Sequence, residues 1–242
     1  MQLRNLLKVP LRKLGYDIVK LHRTTPTALR RQRLFEAHRI DLVLDVGAHT
    51  GQYVVELRRN GYKGRIVSFE PLSLAYRRLT RTASGDVLWK TVKLGLGDQN
   101  TTASINISRN EYSSSLLSIL PKHLQAEPES KYIGAEEITV RTLDSILPDY
   151  LASATNIYLK IDTQGFERRV IEGARNSLNK ICGIQMEMSL APLYENESLF
   201  PELLQLMFEL GYDLKLIEPG IHDPLTGAAL QVDGIFFRRQ DS

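Results

Sequence analysis

Leu42-Val43-Leu44-Asp45-Val46-Gly47-Ala48-His49-Thr50-Gly51 decides the fold: an apolar run, a carboxylate near its end, and two glycines four positions apart. The unbroken apolar character of Leu42–Val46 is that of a strand covered on both faces. Gly47 permits a sharp turn, and Gly51 lets a helix over residues 51–60 begin close beneath a ligand, with Tyr53, Val54 and Leu57 inward. The pattern repeats outward. A strand at Arg65–Phe69 ends in Glu70 and Pro71, and a helix over residues 73–82 and a strand over residues 87–96 follow. Residues 101–140 are more polar, with strand-like alternation at Ala103, Ile105 and Ile107. Next come a strand at Ile157–Ile161, a helix over 166–178, a strand over 184–188 and a helix over 199–210. Two last strands, 214–217 and 232–237, flank a loop containing Pro219, Gly220, Pro224 and Gly227. This order predicts an α/β fold, a mostly parallel sheet with helices on both faces, closed by an antiparallel C-terminal hairpin at its edge.

The chain has 242 residues, of which 43% are hydrophobic and 24% charged, which suits one large globular domain and excludes a disordered or fibrous chain. No apolar run approaches the roughly 20 residues of a membrane-spanning helix. The single cysteine, Cys182, excludes an intramolecular disulfide and fits a buried filler in a reducing cytoplasm. The net charge of +3 hides an asymmetry: residues 1–39 hold ten Lys and Arg against two acids, whereas residues 40–242 are net acidic. The chain therefore reads as a basic arm, 1–39, on a catalytic-sized domain, 40–242. Leu3, Leu6, Leu7, Leu11, Leu14, Ile18 and Leu21 recur near helical spacing among the bases, interrupted by Pro10. Basic residues break each apolar run before a secretory leader's apolar core can form. Two readings of the arm stand side by side: peripheral contact with an anionic membrane or lipid-borne acceptor, or a helix packed on the body.

In sheets of this kind ligands bind at the carboxyl ends of the strands. Glu70 follows Gly51 by 19 residues, where a carboxylate can take both hydroxyls of a ribose. The glycine spacing is G-x-x-x-G rather than the G-x-G-x-x-G that cradles a pyrophosphate, so a nucleoside without phosphates is favoured over a dinucleotide. S-adenosylmethionine fits: its carboxylate can meet amides at the helix start, its ammonium Asp45 or nearby carbonyls, and its ribose Glu70. The candidate cofactor-binding residues are Asp45, Gly47, Ala48, His49, Gly51, Glu70 and Pro71.

Three residues are candidates on the acceptor side. Asp162 ends the strand Ile157–Ile161, where it can orient the acceptor or take its proton, or else cap the following helix. Glu187 ends the next strand, as a wall of the acceptor pocket or an arginine partner, and His222 in the last loop titrates near neutrality. The five histidines are scattered with no metal-ligand spacing, so only a Mg²⁺ shared by Asp162 and Glu187 survives as a metal reading. No G-x-S-x-G elbow is present. Tyr112-Ser113-Ser114-Ser115-Leu116-Leu117 lies in an insertion long enough to cover the mouth of the site.

Four motifs in order resemble the FkbM-type methyltransferases: Asp45-Val46-Gly47-Ala48-His49-Thr50-Gly51-Gln52-Tyr53, Phe69-Glu70-Pro71, Val140-Arg141-Thr142-Leu143-Asp144, and Leu159-Lys160-Ile161-Asp162-Thr163-Gln164-Gly165-Phe166-Glu167. The resemblance implies a class I methyltransferase (Rossmann-like) fold, S-adenosylmethionine as donor, and a hydroxyl acceptor on a sugar, glycolipid or polyketide-type molecule. The chain departs from the family pattern at His49, where asparagine is common, and at Thr163-Gln164, where valine or isoleucine precedes glutamate. The other functional classes are a non-catalytic module that keeps the cofactor fold and a nucleotide-dependent oxidoreductase, the latter lacking its glycine pattern. A nucleic-acid substrate is disfavoured by the net acidic body.

Overall fold

The computed structural model describes residues 27–239. In chain order the elements are α1 (Thr27–Ala37), β1 (Leu42–Val46), α2 (Gln52–Arg59), β2 (Arg65–Phe69), α3 (Ser73–Ala83), β3 (Trp89–Val92), β4 (Gly95–Leu96) and β5 (Thr101–Ser108). They continue as α4 (Pro121–Ala126), β6 (Tyr132–Arg141), α5 (Leu143–Ile146), α6 (Pro148–Leu151), β7 (Ile157–Ile161), α7 (Glu167–Glu172), β8 (Ile181–Ser189), α8 (Phe200–Glu209), β9 (Tyr212–Pro219) and β10 (Gln231–Arg238). The main sheet has seven strands in the order β3-β2-β1-β7-β8-β10-β9, parallel throughout except for β10, which runs antiparallel to both neighbours.

Strand periodicity divides the core between the two faces of this sheet. Leu42, Leu44, Val46, Phe69, Leu159 and Ile161 face one way and bury Val170 and Ile171 of α7 and Leu203, Leu206 and Met207 of α8. Val43, Ile66, Tyr158, Ile235 and Phe237 face the other way, under Phe35 of α1, Val54 and Leu57 of α2 and Leu79 and Ala83 of α3. The expected α/β class, the parallel sheet and the antiparallel final pair are therefore all present. The hairpin lies at the edge as expected, with its strands in reversed order. β10 inserts between β8 and β9, so the last strand of the chain is interior and β9 forms the edge. Phe236 and Phe237 are fully buried for that reason.

The strand expected over residues 87–96 divides: β3 ends the main sheet, while β4 belongs to a separate three-stranded sheet, β4-β6-β5. The polar stretch 101–140 supplies the other two strands of that sheet, which pair antiparallel from Thr101↔Val140 onward. Alternation at Ile105 and Ile107 marked β5, but its partner's apolar face is only Ile138 and Val140, too short a pattern to read alone.

The described part of the basic arm is packed on the sheet. Phe35 of α1 meets the rings of Tyr158 at 4.4 Å and Tyr62 at 5.5 Å, and His38 stacks on Phe237 at 3.9 Å. Arg31 is buried, donating to Glu218 of β9 at 2.6 Å and to Glu56 of α2, with its guanidinium 5.0 Å from the Tyr53 ring. Residues 1–26, which hold the leucine series, lie outside the described residues. Among the described residues no helix is long and apolar enough to cross a membrane.

Removing one partner of a buried pair strands the other charge, at a cost of about 3–5 kcal/mol. Arg31→Ala is therefore expected to lower the unfolding free energy by about that amount in urea denaturation, while deletion of residues 1–25, which leaves α1 intact, is expected to change it little. Equal stability of Arg31→Ala and the parent would show that α1 contributes nothing to the domain.

Candidate active site

The carboxyl ends of β1, β2, β7 and β8 open into a cavity of about 420 Å³, within the range of small-ligand sites. Its floor is the turn after β1. Gly47 and Ala48 donate their amides to Phe69 O, and Gly47 (φ +75), His49 (φ +47) and Gly51 (φ +93) all adopt left-handed backbone. A Cβ on Gly47 would lie 1.8 Å from the Asp162 carbonyl oxygen, so no other residue fits. Histidine is among the non-glycine residues that tolerate this conformation.

Glu70 is buried in the cavity wall and ties this turn to the next. Its carboxylate accepts from His49 N at 2.8 Å and Leu72 N at 2.9 Å. Burial pushes its carboxyl up to about 7, a rise that the two amides only partly offset. Pro71 lines the cavity beside it. Asp45, by contrast, does not reach the cavity. It is completely buried in the sheet, accepting from Ser68 Oγ at 2.9 Å and lying 3.5 Å from Lys160 Nζ, so the expected contact with a ligand ammonium is replaced by an internal pair. Ala48 and Gly51 likewise shape the turn from behind the lining.

Lys160, on β7 beside Asp45, is the buried cation of the site. Its ammonium lies 3.2 Å from Asp162 Oδ2 and 3.4 Å from Gly47 O. Burial pulls the ammonium down, but Asp162 and Asp45 together outweigh it and hold the group above its usual range. Asp162 itself lines the cavity, with Oδ1 accepting from Gln164 Nε2 at 2.9 Å. It does not cap α7, which has no side-chain cap; Glu167, the first residue of that helix, instead fixes the preceding turn by accepting from Thr163 N at 2.8 Å and Gly165 N at 3.3 Å.

Glu187 is brought beside Asp162, as the sequence suggested, but its partner is Gln164 Nε2 at 2.7 Å rather than an arginine. Burial first, then the charges of Asp162, Asp233 and Glu167, hold its carboxyl well above the usual range. His222 is not part of the site. It is exposed, bridging to Ala229, while its neighbour Ile221 lines the cavity. The Val140-Arg141-Thr142-Leu143-Asp144 motif is structural as well, for Thr142 caps α5 and Asp144 binds the amides of Asn176 and Ser177.

The second sheet and the insertion after β5 close the cavity. Ile105, Ile138, Leu72, Leu94 and Leu96 form an apolar lobe. Asn110, Glu111, Tyr112, Ser113, Ser114 and Leu116 form the outer wall, so the stretch expected over the mouth is located there. Tyr112 lies against the His49 ring at 4.2 Å and accepts from Gln52 Nε2 at 2.9 Å. Sequence reasoning missed Lys160 and Gln164 as site residues, although both stand inside a quoted motif. Gly47→Ala is expected to abolish cofactor binding in calorimetry and to lower thermal stability, because the left-handed backbone and the Asp162 carbonyl both exclude the methyl group; a stable variant with parental affinity would refute this account of the turn.

Residues 45–214 match the family described as the methyltransferase FkbM domain. No curated protein matches the sequence. Solved structures with a similar fold include the N-terminal domain of human METTL16 in complex with SAH, at 12% identity and TM-score 0.47, covering 98% of this chain and 82% of that one. Ribosomal protein L11 methylase from Lactobacillus delbrueckii subsp. bulgaricus matches at 11% identity and TM-score 0.44, covering 88% and 76% of the two chains. Aeropyrum pernix fibrillarin in complex with natively bound S-adenosyl-L-methionine matches at 11% identity and TM-score 0.45, covering 86% and 75%. With the family matched from the β1 turn into β9, across most of the sheet that builds the cavity, the chain belongs to the FkbM methyltransferases, enzymes whose methyl donor is S-adenosylmethionine.

Proposed function

We propose that this methyltransferase methylates a hydroxyl of a neutral, polyhydroxylated acceptor, a sugar, glycolipid or polyketide-type molecule. The observation that carries this reading is the lining of the cavity. It includes five carboxylates, Glu70, Glu111, Glu127, Asp162 and Glu187, with Asn110, Ser113, Ser114, Thr163 and Gln164, and among the described residues no Lys or Arg lines it. Carboxylates and amides are good partners for hydroxyl groups, whereas the phosphates of a nucleic acid call for cations.

The residues present suit S-adenosylmethionine. Gly47, His49 and the Glu70 carboxylate line the cavity, and the bare Gly47 backbone lets the turn lie against the Asp162 carbonyl. The acidic lining suits a cationic donor, and the apolar lobe of Leu72, Leu94 and Leu96 suits its adenine. On this reading Gly47, Ala48, His49 and Gly51 shape the methionine side, Glu70 takes the ribose hydroxyls and Pro71 borders the adenine. The bound donor supplies an electrophilic methyl group with a neutral thioether as leaving group. Asp162 and Glu187 hold the acceptor hydroxyl and restrict its motion, one of the two carboxylates receiving its proton, while Tyr112 and the outer wall keep water away.

The basic residues of the arm extend the proposal to a lipid-linked acceptor reached through peripheral membrane contact. Since Thr27–Ala37 is packed on the body, residues 1–26 are the part to test, by sedimentation with anionic vesicles at low and high salt. Sedimentation that persists after deletion of residues 1–25 would refute that role.

Labelled methyl transfer from S-adenosylmethionine to glycan and glycolipid extracts tests the acceptor class; label in RNA or protein fractions alone would overturn it. Glu70→Ala is expected to weaken S-adenosylmethionine binding by about 1.5–3 kcal/mol, the value of hydrogen bonds to a charged group. The pH dependence has a definite sign. Ribose hydroxyls donate to the ionised carboxylate, so binding expels the proton that Glu70 holds below about 7. Affinity is expected to fall as the pH drops below that value, with proton release visible in calorimetry in buffers of different ionisation enthalpy. The pH dependence should be lost in Glu70→Gln.

A further inference from the structure

Gln164 is placed by an unusual piece of backbone. It is left-handed (φ +55), the next residue, Gly165, is too (φ +92), and its carbonyl is fixed by Ser115 Oγ at 2.6 Å. The side chain lies almost wholly buried in the cavity wall. Its Nε2 donates to Asp162 Oδ1 at 2.9 Å and Glu187 Oε2 at 2.7 Å, while its Oε1 accepts from Tyr194 OH at 2.5 Å. The orientation of the amide is settled by chemistry, because the reverse flip would set its oxygen against two carboxylates. Of the four oxygens of the Asp162 and Glu187 pair, three have a protein donor: Gln164 holds one on each residue, and Lys160 holds Asp162 Oδ2 at 3.2 Å. Among the described residues, Glu187 Oε1 has none.

We propose that Gln164 is a positioning residue for methyl transfer, spending both amide protons on Asp162 Oδ1 and Glu187 Oε2 so that Glu187 Oε1 remains as the oxygen that receives the acceptor's proton. This rests on the hydroxyl-acceptor reading. The step balances: the O–H bond breaks as its proton moves to Glu187 Oε1, the oxygen's electron pair forms the new O–C bond, and the C–S pair returns to sulfur. Asp162, with both oxygens engaged, orients and does not accept. Glu187 is faced by Lys160 from β7 and Asp162 just after it, Glu167 from α7, Asp233 from β10 and Tyr194 from the segment after β8. Three of those groups are carboxylates that favour its protonated form, and the Gln164 amide is the donor that favours the ionised form.

The experiment is a carboxyl ¹³C NMR titration of the full chain saturated with S-adenosylhomocysteine, with Glu187→Gln to assign the signal. Two variants are used. Gln164→Asn keeps a residue that tolerates left-handed backbone but is one methylene too short to bridge. Gln164→Glu can bridge only while it carries a proton. The expected result for Gln164→Asn is a Glu187 titration moved upward by about 1 pH unit. Methyl transfer to the glycan or glycolipid fraction labelled by the parent is expected to fall in kcat by roughly 10-fold or more, with KM for S-adenosylmethionine within about 2-fold. Gln164→Glu is expected to bind one additional proton near neutrality and to move the Glu187 titration as well. If one variant does not fold, the other decides. An unmoved Glu187 titration overturns the positioning role, and so does a moved titration with unchanged kcat. If the parent labels no hydroxyl-bearing fraction, the acceptor reading fails by itself, and the titration still decides whether Gln164 controls Glu187.

Discussion

The buried ammonium of Lys160 is the interaction on which the rest of the site depends. It lies among Asp45, Asp162 and the Gly47 carbonyl, and so it joins the ends of two adjacent strands to the turn between sheet and ligand. A charge at this depth is tolerated only with partners close by, and it in turn stabilises a buried carboxylate beside it. Asp45 is the clearest case, since burial raises its carboxyl and the Lys160 charge is the largest opposing influence. The pair is also tied sideways: Ser68 donates to Asp45 and in turn accepts from the Trp89 indole, so β3, β2, β1 and β7 are linked by one polar row in an otherwise apolar layer. Removing any member would leave a buried polar group unpaired, which gives the row its specificity.

Around this row the cavity acquires its character from backbone as much as from side chains. Three left-handed residues within five positions let the chain reverse after β1 without lifting away from the sheet, and a second left-handed pair, Gln164-Gly165, does the same after β7. Together with the end of β2 these turns set Gly47, His49, Glu70, Asp162 and Gln164 around one space. The result is a chamber lined by carboxylates, with the adjacent buried cation, Lys160, held by its own neighbours. Such a chamber attracts a cationic donor and leaves spare carboxylate oxygens for hydroxyl groups.

The enclosure is equally specific. The insertion after β5 is held by short polar side chains: Asn110 donates to Ser113 and Ser130, Ser108 donates to Asn110, and Tyr132 donates to Leu117 O. Few of these residues carry an apolar pattern, so the wall is built from hydrogen bonds, some local and others joining Asn110 to Ser130 and Tyr132 to Leu117. Phe166 and Gly97 meet beneath it, joining the second sheet to the start of α7.

The sequence by itself determined the main sheet and one side of the site. β1, β2 and β7 coincide with the runs Leu42–Val46, Arg65–Phe69 and Ile157–Ile161, because strands buried on both faces must be continuously apolar, and a carboxylate or glycine ends each of them. Gly47, Glu70 and Asp162 were legible for the same reason, since residues at strand ends in a parallel sheet face the ligand whatever the details. Only the tertiary structure decided the rest. The burial of Asp45, the exposure of His222, the insertion of β10 between β8 and β9, and the second sheet all depend on pairings between residues distant in sequence. Lys160 and Gln164 were hidden within legible motifs, because nothing in a local pattern says that an ammonium will be neutralised by two carboxylates or an amide divided between two others. Periodicity reports which side of an element is buried; which polar groups meet there is fixed only when the strands are laid side by side.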